Sequence, residues 1–511
     1  MKIVGFHSGH DSAYSILEDG IPIVHNESER FNRRKNSVDN SMQFFLDNEK
    51  DFSDVKYITT HRTGGMNKNN FMDSLNECEN IAKENGGGLY IIGHLDGSTH
   101  EKNQIDQAKD GFITCTTFWS GKDNKIEPLE MISRGEINIG YYWAICTARI
   151  FGLGTWRDPR GDQAGTVMGM AALGKPKYME YFSNLSNLKS GKGWGPTDMD
   201  YLVSEAKKSE QNKFDIAASL QLATENLIKD LLTPYIEKYK PNNLCLSGGV
   251  ALNCVSVGKM LDWFPNINIY VDPIPYDAGL SLGSSRYLYH QILGNPRIYN
   301  SQQNKTPYLG YTYSLSDVEE ALDERKDEIE TIGADDDYVV HNLMRKQIIS
   351  VFGGGSESGR RALGNRSILA DPRHADVKDI VNEKVKHRQW FRPFAPSVLR
   401  DYVKDWFVHD VESPYMNLAM NFLDGKSDEV PAVVHFDDTA RLQTVTREEN
   451  QWYYDFIDKF RQKTGVPIVL NTSFNDREPI VETPQHALDC FLRTNIDCLY
   501  FRDYGILVSK K

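Results

Sequence analysis

An α/β protein of two domains is predicted, and three observations predict it. The chain has 511 residues, more than a single hydrophobic core usually organises. Short apolar runs of strand length end in glycine or small polar residues, and the clearest of them leads straight into a helical pattern, the order found in α/β sheets. A polar tract followed by an acidic stretch, together spanning 295–338, separates two regions that each carry motifs of their own. The expected division is a domain over 1–300, a linker region over 301–340 and a second domain over 341–511.

Composition narrows the class. Hydrophobic residues make up 40% and aromatic residues 11%, enough for packed interiors and too much for a mainly disordered chain. A formal net charge of -13 argues against general nucleic-acid binding, which needs a basic surface. No run reaches the ~18 uninterrupted apolar residues of a membrane span, and the opening MKIVGFHSGHDSAYSILEDG lacks the apolar core of a targeting peptide, so no membrane partner is expected. The 7 cysteines form no CxxC and leave an odd count, which fits reduced thiols and a cytoplasmic location.

In chain order, residues 3–6, 13–17 and 21–24 read as strands, with Asp19-Gly20 marking a tight hairpin between the second and third. The loop His7-Ser8-Gly9-His10-Asp11-Ser12 between the first two is short, small and polar, with room and donors for an oxyanion. Runs at 55–62, 89–95 and 111–119 read as further strands, and 141–153 as a buried helix. Between 214 and 239, Ile216, Leu220, Ala223, Leu227, Leu231 and Ile236 fall on one face of a long amphipathic helix. NLCLSGGVALNCVSVGK (243–259) follows as strand, turn and helix start: Gly248 and Gly249 free backbone amides, and the helix aims its positive end at an anion. In the second region IISVF (348–352) is a buried strand before the Gly353-Gly354-Gly355 turn. Beyond it Arg360, Arg361, Arg366, Arg373, Arg388, Arg392 and Arg400 cluster with Lys378, Lys384 and Lys386, a basic density that predicts a compact anionic ligand. PIVLNTSFN (467–475) reads as a strand ending in Thr472, Ser473 and Asn475, donors suited to a planar polar group or a ribose.

Taken together, GRRALGNRS, the NTSFN strand end, the SGGVALN turn and PYDAGLSLGSS (275–285) resemble the O-carbamoyltransferase family, which includes nodulation enzymes and antibiotic-tailoring enzymes of the nebramycin type. NESERFNRRKN (26–36) and DQAGTVMGMAALGKP (162–176) extend the resemblance, which lapses between about 40 and 135. It implies an actin-like (duplicated ribonuclease H-like) N-terminal domain, related to the tRNA-threonylcarbamoylation ATPase, and an α+β C-terminal domain of the carbamate-adenylating (YrdC-like) type. The implied reaction joins carbamate, released from carbamoyl phosphate, to ATP as carbamoyladenylate. The carbamoyl group then passes to an alcohol-bearing small molecule, in the setting of secondary metabolite biosynthesis. ATP with Mg2+ is the implied cofactor, and a homodimer is left open.

The resemblance assigns roles by position. Arg361 and Lys386, with Arg366, Arg388 and Arg392, would hold carbamoyl phosphate and the ATP phosphates, while Ser473, Asn475 and Thr472 would orient the carbamoyl group. In the first domain His10 would take the acceptor proton, Lys35 would reach toward the carbamoyl chemistry, and Asp11, Gly248, Gly249 and Asn253 would hold nucleotide or acceptor. Asp277 lands on the family's metal-ligand aspartate. Departures are specific. His94 and His100 stand six apart where the family's metal pair is three apart, and Trp119-Ser120-Gly121 replaces an expected aspartate. Iron or another transition metal, implied by the family, is therefore expected at well under one equivalent. Arg360 stands where the family has proline, and one residue is missing between Arg477 and Glu478. Two other classes stay open: an actin-fold phosphotransferase, and a nucleotide-binding relative without turnover. Phosphate release from carbamoyl phosphate separates both from the transferase.

Overall fold

The computed structural model describes residues 1–60, 68–92, 114–133, 137–154, 163–182, 197–298 and 306–511. The sequence-predicted metal candidates His94 and His100 lie outside them. The N-terminal half begins with a five-stranded sheet in the order β3-β2-β1-β4-β5. Its strands are β1 (Lys2–His7), β2 (Ala13–Glu18), β3 (Ile21–Glu27), β4 (Val55–Thr60) and β5 (Gly88–Ile91). β1 to β3 form an antiparallel meander, and β4 and β5 add in parallel to β1. The turn from β2 to β3 has φ of 48° at Asp19 and 87° at Gly20, the left-handed pair that matches strand twist in a two-residue hairpin. Val4, Phe6, Tyr14 and Ile16 bury one face of this sheet against Met42, Phe45, Phe71 and Leu75.

The remainder of the N-terminal half does not close into a second sheet of this kind among the described residues. β6 (Thr114–Lys122) and β7 (Lys125–Ser133) form a separate hairpin, and β8 (Asn243–Leu246) pairs in parallel only with β9 (Asn268–Val271). The amphipathic helix runs over Glu210–Tyr239, longer at its start than its sequence pattern because Ser209 caps it by accepting from the Asn212 amide. Its apolar face, with Ile216, Leu220, Ala223 and Leu227, is the centre of the second core.

The C-terminal half is built on a nine-stranded mixed sheet, β10-β18-β17-β11-β12-β16-β13-β15-β14. In chain order these are β10 (Ile329–Gly333), β11 (Ile349–Phe352), β12 (Arg366–Ala370), β13 (Ala395–Leu399), β14 (Leu418–Asn421), β15 (Thr439–Val445), β16 (Ile468–Ser473), β17 (Cys498–Phe501) and β18 (Ile506–Lys510). The span expected as a linker therefore contributes an edge strand, β10 paired with β18, and the helices Leu315–Glu324 and Asp336–Met344. The apolar faces of these two helices are buried: Val318, Ala321, Val339, Val340 and Leu343 belong to the C-terminal core.

The halves share that core. Ala251, Val257, Leu261 and Val271 of the N-terminal half pack into the same cluster as the nine-stranded sheet. The helix Cys254–Trp263 lies so close on β14 that a Cβ built at Gly258 would sit 1.8 Å from the Ala419 carbonyl oxygen. Neither partner is a flexible side chain, so relief requires backbone movement. Gly258→Ala is expected to cost about 3 kcal/mol and to lower Tm by about 3 °C, measured by scanning calorimetry. An unchanged Tm would show that the halves are not locked at this crossing.

Candidate active site

One cavity of about 2390 Å³ runs between the halves and is lined by residues from both. On its N-terminal side the β1–β2 loop delivers His7, His10 and Asp11, and the strand-to-helix turn before Gly279 delivers Asp277. His10 Nε2 lies 3.3 Å from Asp277 Oδ2 and 3.9 Å from Asp11 Oδ2, while His7 Nε2 is 4.0 Å from Asp277 and 2.9 Å from the His10 carbonyl. An imidazole thus faces the cavity with a carboxylate against it, the arrangement that orients a general base. Asp11 is buried and takes hydrogen bonds from Asn36 Nδ2 at 3.0 Å and from Arg360 Nη2 at 2.8 and 2.9 Å.

The segment after β3 folds as a short helix, Ser28–Asn32, that brings Glu29, Arg30 and Lys35 to the wall. Burial pushes the Lys35 ammonium down to about 8, with Arg392, Arg360 and Arg388 adding to the shift against the pull of Glu29. The Glu29 carboxyl is pushed up to about 7 by burial and by its neighbours Glu27 and Asp11. Arg33, two residues before Lys35, donates to the carbonyls of Ile480 at 2.8 Å and Pro479 at 2.6 Å, tying this segment to the C-terminal half.

The opposite wall is cationic. Arg361, Arg388, Arg392 and Arg441 line it together with the strand end Thr472, Ser473 and Asn475. Burial lowers the pKa of each of these arginines; Arg441 presses further on Arg361, Arg388 and Arg392, and the Cys254 thiol opposes the shift in Arg441 itself. Guanidinium groups nevertheless stay charged at neutral pH. Converging like charges in a buried wall is unfavourable until an anion enters, which is the electrostatic signature of an anion site. Arg388 is held in place by donating to Asn382 Oδ1 at 2.7 Å, with its guanidinium 4.6 Å above the Phe394 ring.

Four expected ligands are used differently by the structure. Arg366 does not line the cavity: it is 0% exposed and donates to the carbonyls of Gly353, Gly354 and Asn365 at 2.9, 3.2 and 3.0 Å, stacked over Phe352. Its role as a phosphate ligand is corrected to that of a staple for the glycine turn. Lys386 also lies behind the wall, 5% exposed, where Nζ donates to the carbonyl and side-chain oxygens of both Ser473 and Asn475 at 2.5–3.2 Å. It fixes the strand end from beneath, where burial, with the neighbouring Arg388, pushes its ammonium well below the usual lysine range. The Gly248 amide, expected to be free, donates to the Pro275 carbonyl at 2.5 Å, and Asn253 caps the helix Cys254–Trp263 while donating to Gln221 Oε1 at 2.9 Å. Both residues still line the cavity, as does Gly249.

Residues 99–285 match the model described as carbamoyltransferase N-terminus, and residues 340–509 the one described as carbamoyltransferase C-terminus. The chain is 34% identical over 396 residues to the nodulation protein NolO of Bradyrhizobium diazoefficiens, covering 72% of this chain and 69% of that one. This chain belongs to the carbamoyltransferase family. It is also 38% identical over 363 residues to the nodulation protein NolNO of Sinorhizobium fredii, covering 68% of this chain but about half, 52%, of that relative. A third relative, protein MJ1051 of Methanocaldococcus jannaschii, is 28% identical over 99% of both chains.

The carbamoyltransferase N-terminal match starts at residue 99, so His10, Asp11 and Lys35 stand outside it, although the cavity joins them to residues inside. Sequence reasoning passed over Glu29 and Arg441. Glu29 lies within the quoted NESERFNRRKN segment, but nothing in its spacing separates it from Glu27, which is turned to Tyr276 and the Gly359 amide. Arg441 lies on β15, and only the strand order shows that it faces Arg361 and Cys254. As for metal, Asp277 meets His10 and His7, and among the described residues no three His, Cys, Asp or Glu side chains are placed to hold an ion. No helix of the described residues is long and apolar enough to cross a membrane.

Proposed function

We propose that this carbamoyltransferase makes carbamoyladenylate at the cationic wall and passes the carbamoyl group to an alcohol at the His10 wall of the same cavity. The observation that supports it most is the convergence of Arg361, Arg388, Arg392 and Arg441 with the Ser473–Asn475 strand end, across one cavity from His10 and Asp277. Carbamoyl phosphate is hydrolysed to carbamate and phosphate. A carbamate oxygen attacks the α-phosphorus of ATP, and pyrophosphate leaves. The alcohol oxygen then attacks the carbamoyl carbon, its proton passes to the His10 imidazole on the ring nitrogen not held by Asp277, and AMP departs with the C–O electron pair. Carbamate is a poor electrophile and short-lived, so an adenylate leaving group and an enclosed path both serve the chemistry.

In this scheme the N-terminal half is actin-like, its β3-β2-β1-β4-β5 sheet presenting the phosphate loop, and the C-terminal half is of the carbamate-adenylating type. Magnesium would travel with the nucleotide phosphates, held mainly by them and by water. The function is tested by measuring ATP–pyrophosphate exchange and phosphate release with carbamoyl phosphate as sole carbamoyl source. Exchange that needs carbamoyl phosphate supports it. A protein that phosphorylates an alcohol without consuming carbamoyl phosphate is a kinase, and one that binds ATP without releasing phosphate from carbamoyl phosphate has no such turnover.

Lys35 gives the scheme a pH signature. Its ammonium, near the arginines of the opposite wall, acts as a cation on the carbamoyl oxygen and is lost as pH rises through about 8. kcat/KM for carbamoyl phosphate, followed by AMP formation, should therefore fall above about pH 8. That ratio reports free-enzyme ionisations. Lys35→Arg, charged throughout, should remove the fall; a limb that persists unchanged would assign it to another group.

A further inference from the structure

Arg360 belongs to the second half of the chain by sequence and to the first by contact. Its Nη2 reaches across the cavity to both oxygens of Asp11, and its guanidinium lies 4.6 Å over the Tyr276 ring. The turn that carries it is stapled from the N-terminal half on every side. Arg30 Nη2 donates to the carbonyls of Glu357 at 3.0 Å and Gly359 at 2.6 Å, the Gly359 amide donates to Glu27 Oε1 at 3.0 Å, and Tyr276 OH donates to Glu27 Oε2 at 2.8 Å. Gly359 has φ of 92°, and a Cβ there would sit 2.3 Å from the Pro273 carbonyl oxygen, so the turn has little freedom to adjust.

Two neighbouring guanidinium groups therefore serve two walls. Arg361 joins the anion wall beside Arg441 and Cys254. Arg360 holds Asp11, a non-glycine residue at φ of 61°, whose oxygen is 3.9 Å from His10 Nε2. A left-handed backbone is uncommon for residues with a side chain, aspartate being among the more tolerant, and here the contacts from Arg360 and Asn36 help to hold it. We propose that Arg360 is a positioning residue that couples the two walls, keeping the His7–Ser12 loop in place when the neighbouring Arg361 takes up an anion. The inference rests on the carbamoyl-transfer function proposed above. It concerns this chain in particular, since its sequence carries arginine where the family pattern has proline.

Hydrogen–deuterium exchange on the full chain tests it with ATP and carbamoyl phosphate as the probe. In the unmodified protein the added ligands should slow exchange both in the peptide spanning 470–478 and in the peptide spanning 7–14. In Arg360→Ala the response of 470–478 should remain and that of 7–14 should be lost, with Arg360→Lys restoring part of it. Asp11→Asn, which removes the other end of the ion pair with little change of shape, should reproduce the loss if Arg360→Ala does not fold. A residue that only supports the fold would change exchange without ligand and leave the ligand response intact. If 7–14 still responds in Arg360→Ala or Asp11→Asn, the coupling is overturned while the proposed function stands. If 470–478 fails to respond in the unmodified protein, the proposed function falls and the coupling with it.

Discussion

Arg361→Ala is expected to lower carbamoyl phosphate-dependent ATP–pyrophosphate exchange by at least about 100-fold, the effect of losing one preorganised charged donor at a transition state. The guanidinium lines the cavity in the middle of the cationic wall, near Arg441, Arg360 and Arg392. Adenylyl transfer breaks the α-phosphorus–oxygen bond and builds negative charge on the departing pyrophosphate, and a fixed cation in a water-poor wall stabilises it without reorganising. Lys386→Ala should fall as far by another route. Its Nζ ties Ser473 and Asn475 through four acceptors, so its removal frees the strand end and leaves those oxygens without their buried partner. A Tm measured alongside separates the two, because Arg361→Ala relieves like-charge crowding and should not lower it, whereas Lys386→Ala should. Exchange unchanged in both variants would remove the adenylate site from this wall.

His10→Asn should leave the same exchange in place and reduce transfer to the alcohol by about 10²–10⁴-fold, the contribution of a positioned general base. The side chain is 38% exposed to the cavity and 3.3 Å from Asp277, and it sits on a loop of the five-stranded sheet, not on the cationic wall. Asparagine keeps a hydrogen-bonding group of similar reach but cannot accept the proton. The measurement is radiolabel passed from carbamoyl phosphate to alcohol, set against pyrophosphate exchange in the same preparation. Exchange and transfer falling together in a folded variant would make His10 part of one shared site or a structural residue.

Much of the local architecture follows from local chemistry. The Asp19-Gly20 pair determines the hairpin because a two-residue turn needs left-handed backbone at both positions, and both adopt it. Apolar 349–352 before three glycines forms a buried strand and turn, and the hydroxyl and amide run at 471–475 closes β16 at the cavity. The periodic apolar face over 216–236 determines a long helix wherever it ends up packing. What the tertiary structure alone decided is where the charges go. Arg360, Arg361 and Arg366 fall within seven positions of one motif and look alike as residue types, yet one crosses to Asp11, one lines the anion wall and one is consumed by carbonyls of its own turn. Lys386 likewise lies behind the wall, away from the ligand role its motif implies, while Lys35 lines the cavity. The reason is physical: backbone conformation is set by neighbours a few residues away, whereas the partner of a long cationic side chain is set by whatever packing brings near it, here segments more than 300 residues apart in the chain.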